Sequence, residues 1–221
     1  MLFRSVYGSP QLLQLSGLGP AALLQQMGIP VVRDMPDVGA HLHDHFNTYV
    51  AFRCTQPVTM NDLALSLPRR VAAAAQYAFG RSGPMASAGI FVGALIRTDP
   101  RLERPDLQIN MFGWSAEERL RTGIKPHPFS AFTLSPVHLR PEGRGTVRIK
   151  SPDPLAPPAI QFNFLASDYD YQALIYGTRL SRKIVAQPAL KPYVMEEVIP
   201  GEACQSDDRS EERRVGKECR L

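Results

Sequence analysis

Ser9-Pro-Gln-Leu-Leu-Gln-Leu-Ser-Gly-Leu-Gly-Pro20 carries the most specific structural information in this chain of 221 residues. Ser9 and Pro10 predict the start of a helix, because serine caps free backbone N–H groups and proline at the first helical position loses only a donor without a partner. Gly17 predicts the end of that helix, and the glycine and proline after it open a second helix over 21–27. Two short helices separated by glycines bring the backbone close to a neighbouring element and do not by themselves carry out a reaction.

Downstream of this motif, the hydrophobic pattern predicts a series of strands. Residues 29–33 predict a short strand and 34–45 a loop. Alternation over 46–53 predicts a longer strand, and 68–79 predict a helix with one apolar face formed by Val71, Ala74, Ala75, Ala78 and Phe79. Further strands are predicted at 90–96, 106–112, 129–139, 145–151 and 159–164. Because these five strands follow one another without intervening helices, we expect a mostly antiparallel sheet and an α+β fold.

A long helix is predicted after the last strand. Ser167 is its expected N-cap, and Asp168 and Asp170 lie in the first turn, where the helix dipole favours carboxylates. The expected buried stripe consists of Ala173, Gly177, Leu180 and Ile184. The basic side chains expected to face water are Arg179, Arg182 and Lys183.

Composition limits the class of protein. A hydrophobic fraction of 44% and a charged fraction of 21% are ordinary for a globular protein. No run of eighteen apolar residues occurs, so no transmembrane segment is predicted, and the first ten residues lack the pattern of a secretory signal. The three cysteines, Cys54, Cys204 and Cys219, form no C-x-x-C pair, which argues against a disulfide framework and favours a reducing, cytoplasmic setting.

Most of the net positive charge of the chain comes from its two ends. Residues 209–220 resemble the translated reading frame of a DNA-sequencing adapter, and residues 2–5 resemble the opposite adapter. Together, Arg4 and the segment 209–221 hold six basic and three acidic residues, so without them the net charge falls from +4 to +1. Binding to nucleic acid therefore has no support from composition.

The motif from Ser9 to Pro20 resembles the second sequence signature of the glucose-methanol-choline (GMC) family of flavoenzymes. The likeness continues through Pro36-Asp-Val-Gly39 to Leu42-His-Asp-His45, where family members typically read P-G-V-G-x-N-L-Q-D-H. His41 and His43 stand where the family usually has Asn and Gln. Further segments that resemble the family are Gly28-Ile-Pro-Val-Val32, Arg144-Gly-Thr-Val-Arg-Ile-Lys-Ser-Pro-Asp-Pro154 and Gln187-Pro-Ala-Leu190. The resemblance covers about residues 6–208.

The resemblance implies a division of the chain into segments. Residues 6–45 are expected to be the C-terminal part of an FAD-binding segment, the end of an α/β domain. Residues 46–143 are expected to form a substrate-binding domain with a mostly antiparallel six-stranded sheet and flanking helices, and 144–208 the start of the C-terminal region. Residues 1–5 and 209–221 are interpreted as adapter sequence.

The resemblance also implies FAD as the cofactor and a primary alcohol, choline or another, as the substrate. Family enzymes oxidise the CH–OH group by hydride transfer to the flavin while a base takes the hydroxyl proton. The chain contains no G-x-G-x-x-G turn for the FAD pyrophosphate, and the catalytic histidine is expected downstream of Asp208. We therefore expect the chain to be an internal fragment of a cytoplasmic or membrane-peripheral enzyme, and to be inactive as given. The sequence does not decide which electron acceptor the enzyme uses, or whether it is an oxidase or a dehydrogenase.

The site residues expected from the resemblance fall into two groups. The candidates for cofactor binding are Ser9, Asp44 and His45. The candidates for substrate binding, on strands that resemble the wall over the reactive face of the flavin, are Phe91, Asn110, Phe112 and Ser135. Phe91 occupies a place where a carboxylate that selects choline is plausible in relatives, so its apolar ring favours a broader range of alcohols.

The histidines suggest an alternative from another class of protein. Alternate positions of a strand lie on one face and imidazole is a common metal ligand, so His41, His43 and His45 could form a metal-binding module without catalysis. The glycine and prolines before them make a regular strand doubtful. His127 lies between two prolines and is predicted to be a surface loop residue. His138 lies in a predicted strand beside Arg140, where a structural or solvated role is expected, and neither histidine is expected to be catalytic.

Overall fold

A computed structural model describes residues 5–120, 123–201 and 204. Its α-helices are α1 (Ser5–Leu15), α2 (Ala21–Gln26), α3 (Met60–Leu65), α4 (Leu67–Gly80) and α5 (Asp168–Val185), with short 3-10 helices at Pro84–Ala86 and Lys191–Tyr193. The strands are β1 (Leu18–Gly19), β2 (Arg33–Asp34), β3 (Phe46–Asn47), β4 (Val50–Cys54), β5 (Ile90–Ile96), β6 (Leu107–Phe112), β7 (Ala116–Leu120), β8 (Gly123–Pro126), β9 (Ala131–His138), β10 (Thr146–Arg148), β11 (Ala159–Gln161) and β12 (Val194–Ile199).

The chain divides into two compact units. Residues up to 45 together with 141–171 form the first unit, and residues 46–140 together with those from 172 onward form the second. The two segments interpreted as adapter sequence lie outside the described residues, except for Ser5.

The first unit is organised around the buried side chain of Gln14 on α1. Its amide nitrogen donates to the carbonyl oxygens of Val38 at 3.1 Å and Val147 at 2.9 Å, and its amide oxygen accepts from the N–H of Ile149 at 2.9 Å. Gln14 is fully buried, so these hydrogen bonds replace the water that the amide loses on folding.

Local predictions for the first unit are partly wrong. Helix α1 begins at Ser5, so Ser9 and Pro10 lie inside it and Ser9 is not the N-cap. The second helix is confirmed as α2. The strand predicted over 29–33 is reduced to the two-residue strand β2, which pairs in parallel with β1. Strands β10 and β11 pair with each other and are not part of the large sheet.

The second unit contains the six-stranded antiparallel sheet that the resemblance implies. Its strand order is β12-β4-β9-β6-β5, and β3 pairs with β9 beside β4. The predicted strands at 90–96, 106–112 and 129–139 are confirmed as β5, β6 and β9, whereas the strand predicted at 46–53 is divided into β3 and β4. Strand β12 completes the sheet and was not predicted, because its two glutamates interrupt the apolar pattern.

One face of this sheet packs against α5. The buried side chains of this face form one apolar core with Val185 of the helix, and Leu180 and Ile184 pack at its margin. The core residues from the sheet are Val50, Phe52, Cys54, Leu107, Ile109, Phe132 and Leu134. Each large apolar side chain buried in this way stabilises the fold by about 1.5–3 kcal/mol. Gly177 of α5 allows the close approach, because a Cβ there would lie 2.5 Å from Pro136 and 3.2 Å from Leu107.

The predicted polarity of two helices differs from the structure. Ser167 caps α5 as expected, since its hydroxyl accepts the N–H of Asp170 at 3.2 Å. Arg182, expected to face water, is instead partly buried against Glu197. The predicted apolar face of α4 is exposed, with Phe79 93% accessible, and the buried residue of this helix is Ala73.

Within the part of the chain that the structure describes, no helix combines the length and the hydropathy needed to cross a bilayer.

Candidate functional site

The face of the large sheet opposite α5 carries three of the four predicted substrate-binding residues. Asn110 of β6 is directly opposite Ser135 of β9, and Phe112 is opposite Thr133. Directly opposed residues of antiparallel strands project to the same face, and successive residues alternate between faces. Because the intervening Ile109 and Met111 pack into the core, Asn110, Phe112 and Ser135 share the other face.

Two further polar side chains on this face were not predicted. The amide nitrogen of Asn47 donates to the hydroxyl oxygen of Ser135 at 3.0 Å, and the amide nitrogen of Gln108 donates to the amide oxygen of Asn110 at 2.7 Å. Ser135 is only 1% accessible, whereas Asn47, Gln108 and Asn110 are half-buried and present the accessible polar groups. Gln108 was detectable as the residue two positions before Asn110 in the same strand. Asn47 was not, because its position depends on the pairing of β3 with β9.

Phe91 lies at the margin of this face, in an irregular part of β5. The pairing of β5 with β6 shifts between Ile90, opposite Phe112, and Val92, opposite Met111, so Phe91 has no opposed residue of its own. Its side chain is 54% accessible, and its ring covers Gly113, where a Cβ atom would overlap with it. The bulge therefore turns Phe91 towards the loop that follows β6.

The predicted cofactor-binding residues lie in the first unit and are exposed. Ser9 lines an open groove of about 380 Å³ together with His41 and His43. Asp44 and His45 do not line this groove; the carboxylate of Asp44 accepts the backbone N–H of His45 at 2.8 Å. Ser9 thus lies in the groove with His41 and His43, and Asp44 and His45 lie outside its lining.

Gly17 and Gly39 of the first unit do not form a cradle for a dinucleotide. A Cβ at Gly17, where φ is +81°, would lie 2.5 Å from the carbonyl oxygen of Pro30, and a Cβ at Gly39 would overlap with the carbonyl oxygen of Val147. At these two positions the chain's own atoms fill the space that a diphosphate needs beside a glycine-rich turn. Gly17 and Gly39 therefore do not fit the pyrophosphate of FAD.

The metal-binding alternative is not supported. Nε2 of His41 lies 3.2 Å from the carboxylate of Asp37, and Nδ1 of His43 faces the carbonyl oxygen of His41 at 3.4 Å. Across residues 5–120, 123–201 and 204, no three His, Cys, Asp or Glu side chains are grouped so that they could hold a metal ion.

His127 is buried, which corrects the prediction of a surface loop residue. Its Nδ1 lies 2.9 Å from the hydroxyl oxygen of Ser115, and only 8% of the residue is accessible. Asn61 of α3 connects both residues by donating to the carbonyl oxygens of Ser115 at 2.9 Å and His127 at 3.0 Å. Burial lowers the pKa of His127, while the charge of Glu117 acts in the opposite direction. This cluster joins α3 to the base of the β7–β8 hairpin.

Helix α3 was itself not predicted, although its start is visible in the sequence. The carboxylate of Asp62 accepts the backbone N–H of Thr59 at 2.8 Å and its hydroxyl at 3.1 Å. A threonine followed three residues later by an acidic residue is the pattern of a capping box. His138 of β9 is buried, and its Nδ1 lies 3.2 Å from the carbonyl oxygen of Asp106.

Comparisons with known proteins agree with the resemblance. Residues 141–218 match the C-terminal domain of the GMC oxidoreductase family. The chain is 40% identical over 201 residues to an oxygen-dependent choline dehydrogenase of Pseudomonas putida strain KT2440, covering 91% of this chain and 35% of the relative. An oxygen-dependent choline dehydrogenase of Pseudomonas fluorescens strain Pf0-1 is also 40% identical over 201 residues. The chain thus spans about a third of the length of these curated relatives.

Solved structures show the same fold. A formate oxidase structure superimposes with a TM-score of 0.82 and 27% sequence identity, covering 95% of this chain and 41% of that chain. A variant of formate oxidase from Aspergillus oryzae RIB40, described for its FAD modification, gives a TM-score of 0.80 and 27% identity over 92% of this chain and 40% of that chain. A pyridoxine 4-oxidase shares the fold with a TM-score of 0.72 at 23% identity, covering 93% of this chain and 36% of that chain.

Proposed function

Because the chain belongs to the GMC oxidoreductase family, we propose that it supplies the substrate-binding sheet of an FAD-dependent enzyme that oxidises the CH–OH group of a primary alcohol. The relatives and structural neighbours are oxidoreductases of small molecules. In this proposal the sheet face with Asn47, Asn110 and Phe112 contacts the alcohol.

The observation that carries the proposal is the difference between the two faces of the sheet. One face is closed by the apolar core against α5, whereas the other presents amide groups beside an aromatic ring. Small-molecule sites are mostly apolar with a few fixed polar groups that set the orientation of the ligand. Asn47 and Asn110 are fixed in this way, because each has a hydrogen-bonded partner on a neighbouring position of the same face.

FAD is proposed as the cofactor on the basis of the family and of the formate oxidase described with FAD. FAD supplies the redox chemistry, and the protein supplies binding and orientation. Gly17 and Gly39 do not fit its pyrophosphate, so in this proposal the sheet face binds and orients the alcohol and the diphosphate is held by other residues.

We further propose a neutral alcohol, in preference to choline, as the substrate. Phe91 is apolar, and its ring packs over Gly113. A quaternary ammonium ion gains most from a carboxylate in addition to an aromatic face, and Phe91 supplies only the ring. The similarity to choline dehydrogenases supports the oxidation of an alcohol in general, while Phe91 argues for a different alcohol.

The test uses the full-length enzyme that contains this chain, obtained by extending the reading frame outward from residues 6 and 208. We expect bound flavin, reduction of a dye by neutral primary alcohols, and a lower kcat/KM for choline. The substitution Phe91→Glu is expected to raise the ratio of kcat/KM for choline over that for a neutral alcohol by about tenfold, because it introduces a partner for the cation.

The matched control is Leu95→Glu, which places the same charge on the same strand at a residue that is 65% accessible. This variant is expected to leave the ratio unchanged. Flavin-free protein, or flavin that no alcohol reduces, would contradict the proposed function, and an equal response of both variants would contradict the role of Phe91.

A further inference from the structure

We infer that an apolar trough between α3, α4 and β5 binds the alkyl or aryl tail of the alcohol, an inference that rests on the proposed function and specifies its substrate class. The larger part of the trough encloses about 470 Å³, and its apolar lining includes Met60, Leu63, Leu67, Val71, Ala74 and Met85. Sites for small organic ligands typically measure about 300–1,000 Å³ and are mostly apolar.

The trough continues to the edge of the candidate substrate-binding face. A second groove of about 250 Å³ shares Met60 and Leu63 with the larger part and reaches Phe91. Phe91 lies in the bulge of β5 opposite the end of β6, next to the pair of Ile90 and Phe112. A chain lying in the trough therefore points its end towards the sheet face that is proposed to hold the hydroxyl group.

Aromatic side chains provide a second connection between the trough and the sheet face. The rings of Phe112 and Trp114 meet edge to face with their centroids 5.6 Å apart. Trp114 and Met60 both lie beside Gly89, where an added Cβ would lie 3.1 Å from the indole nitrogen and 3.9 Å from the sulfur atom of Met60. Phe112 and Trp114 thus extend from the face towards Gly89, which lies next to Met60 in the lining of the trough.

The charge of the trough selects against a cationic ligand. Arg70 is the charged residue among those that line the larger part, and no acidic residue lines either groove in the part of the chain that the structure describes. A positive side chain disfavours a quaternary ammonium ion, whereas a neutral hydrocarbon tail gains from the removal of its apolar surface from water. The occupant is therefore the tail of a neutral primary alcohol.

The test measures binding to the 221-residue chain without any turnover. Trp114 is the only tryptophan of the sequence, and its indole lies beside Gly89 near Met60 of the lining, so its fluorescence is expected to report binding in the trough. Titration with 1-octanol is expected to change this fluorescence saturably, while choline chloride at equal concentration leaves it unchanged. Calorimetric titration with 1-octanol gives an independent dissociation constant.

Two matched variants locate the site. Leu63→Gln, in the wall shared by both grooves, is expected to raise the dissociation constant of 1-octanol by about tenfold, because it places a polar group against the hydrocarbon chain. Leu65→Gln lies on the same helix, at a residue that is 54% accessible and outside the lining, and is expected to leave the constant unchanged. Met85→Gln repeats the test at a residue that is 51% accessible, should Leu63→Gln prevent folding.

The inference is overturned if 1-octanol gives no saturable change, if choline competes with it, or if Leu65→Gln and Leu63→Gln weaken binding equally. Its failure is separable from that of the proposed function. Binding of 1-octanol without alcohol oxidation by the flavin-loaded full-length enzyme contradicts only the proposed function, and alcohol oxidation without binding in the trough contradicts only the subsite.

Discussion

Arg182 binds the carboxylate of Glu197 through two parallel hydrogen bonds, from Nε to Oε2 and from Nη2 to Oε1, each 2.8 Å long. Arg182 lies on α5 and Glu197 on β12, so the pair fastens the helix to an edge strand of the large sheet. Nη2 of Arg182 also donates to the carbonyl oxygen of Cys204 at 2.9 Å. The hydrogen bonds to Glu197 raise the pKa of Arg182, so the guanidinium stays charged.

Removing the charge of Glu197 tests the strength of this pair. The side chain of Glu197 is 9% accessible and that of Arg182 is 20% accessible. We expect Glu197→Gln to lower the free energy of unfolding by about 2 kcal/mol, somewhat less than for a fully buried pair. The control is Glu196→Gln, whose carboxylate binds Arg53 at 3.2 Å with both side chains more than 40% accessible, and which should cost less than about 1 kcal/mol. Urea denaturation of both variants checks the difference, and equal losses would contradict it.

His127 makes stability depend on pH. Its pKa is lowered in the folded protein from the ordinary value of 6.5, because burial disfavours the charged imidazole. The unfolded chain therefore binds more protons just below that value, and the stabilisation that is present above about pH 6.5 is lost as the pH falls through the lowered folded-state pKa. Urea midpoints measured between about pH 5.5 and 7.5 should rise with pH in the unmodified chain and rise less in His127→Gln. The same slope in both proteins would exclude this role.

Thr48 offers a site for stabilisation. Its hydroxyl oxygen is buried without a hydrogen-bond partner among the described residues. Thr48→Val removes this polar atom at nearly constant shape, so we expect the free energy of unfolding to stay equal or rise by up to about 1 kcal/mol. In the control Thr133→Val, a hydroxyl that donates to the carbonyl oxygen of Trp114 at 2.9 Å is lost, with an expected cost of about 1 kcal/mol. Thermal unfolding distinguishes the two, and destabilisation by Thr48→Val would show that its hydroxyl is bound.

Gln14 is the buried polar centre of the first unit. Gln14→Leu leaves the carbonyl oxygens of Val38 and Val147 and the N–H of Ile149 without their partner, so we expect a loss of about 3 kcal/mol. Gln25→Leu makes the same change on the exposed surface of α2 and should alter stability by less than about 0.5 kcal/mol. Denaturant unfolding and amide exchange of residues 146–149 report the effect, and unchanged exchange in Gln14→Leu would contradict it.

Much of the secondary structure was predictable because each element follows a local rule. Strand β5 matches the apolar run at 90–96, and α5 begins after Ser167, whose hydroxyl caps the helix. The start of α1 was predicted five residues late, since Ser9 satisfies the local preference for a cap while the helix continues upstream of it. Strand β12 lacked a local signal because Glu196 and Glu197 interrupt its apolar pattern. It is stabilised instead by its pairing with β4 and by the ion pair of Glu197.

The candidate substrate-binding face was predictable only in part. Asn110 and Phe112 share a strand, so the period of two places them on one face without knowledge of the fold. Asn47 lies on the same face only because β3 pairs with β9. Met60 lies near Trp114 and lines one groove with Phe91 only because of the position of α3. The cofactor candidates Ser9, Asp44 and His45 remain predictions, and the structure places them on an exposed surface.

The order of residues along the chain was sufficient to predict the family and the antiparallel character of the sheet, and it places an apolar residue, Phe91, at the candidate substrate site. Motifs, alternation and residue identity can be recognised from neighbouring positions alone. The tertiary structure decided the burial of Gln14, His127 and Arg182 and the formation of the apolar trough. These features depend on contacts between residues far apart in the chain, where a polar group is buried only if a distant partner completes its hydrogen bonds.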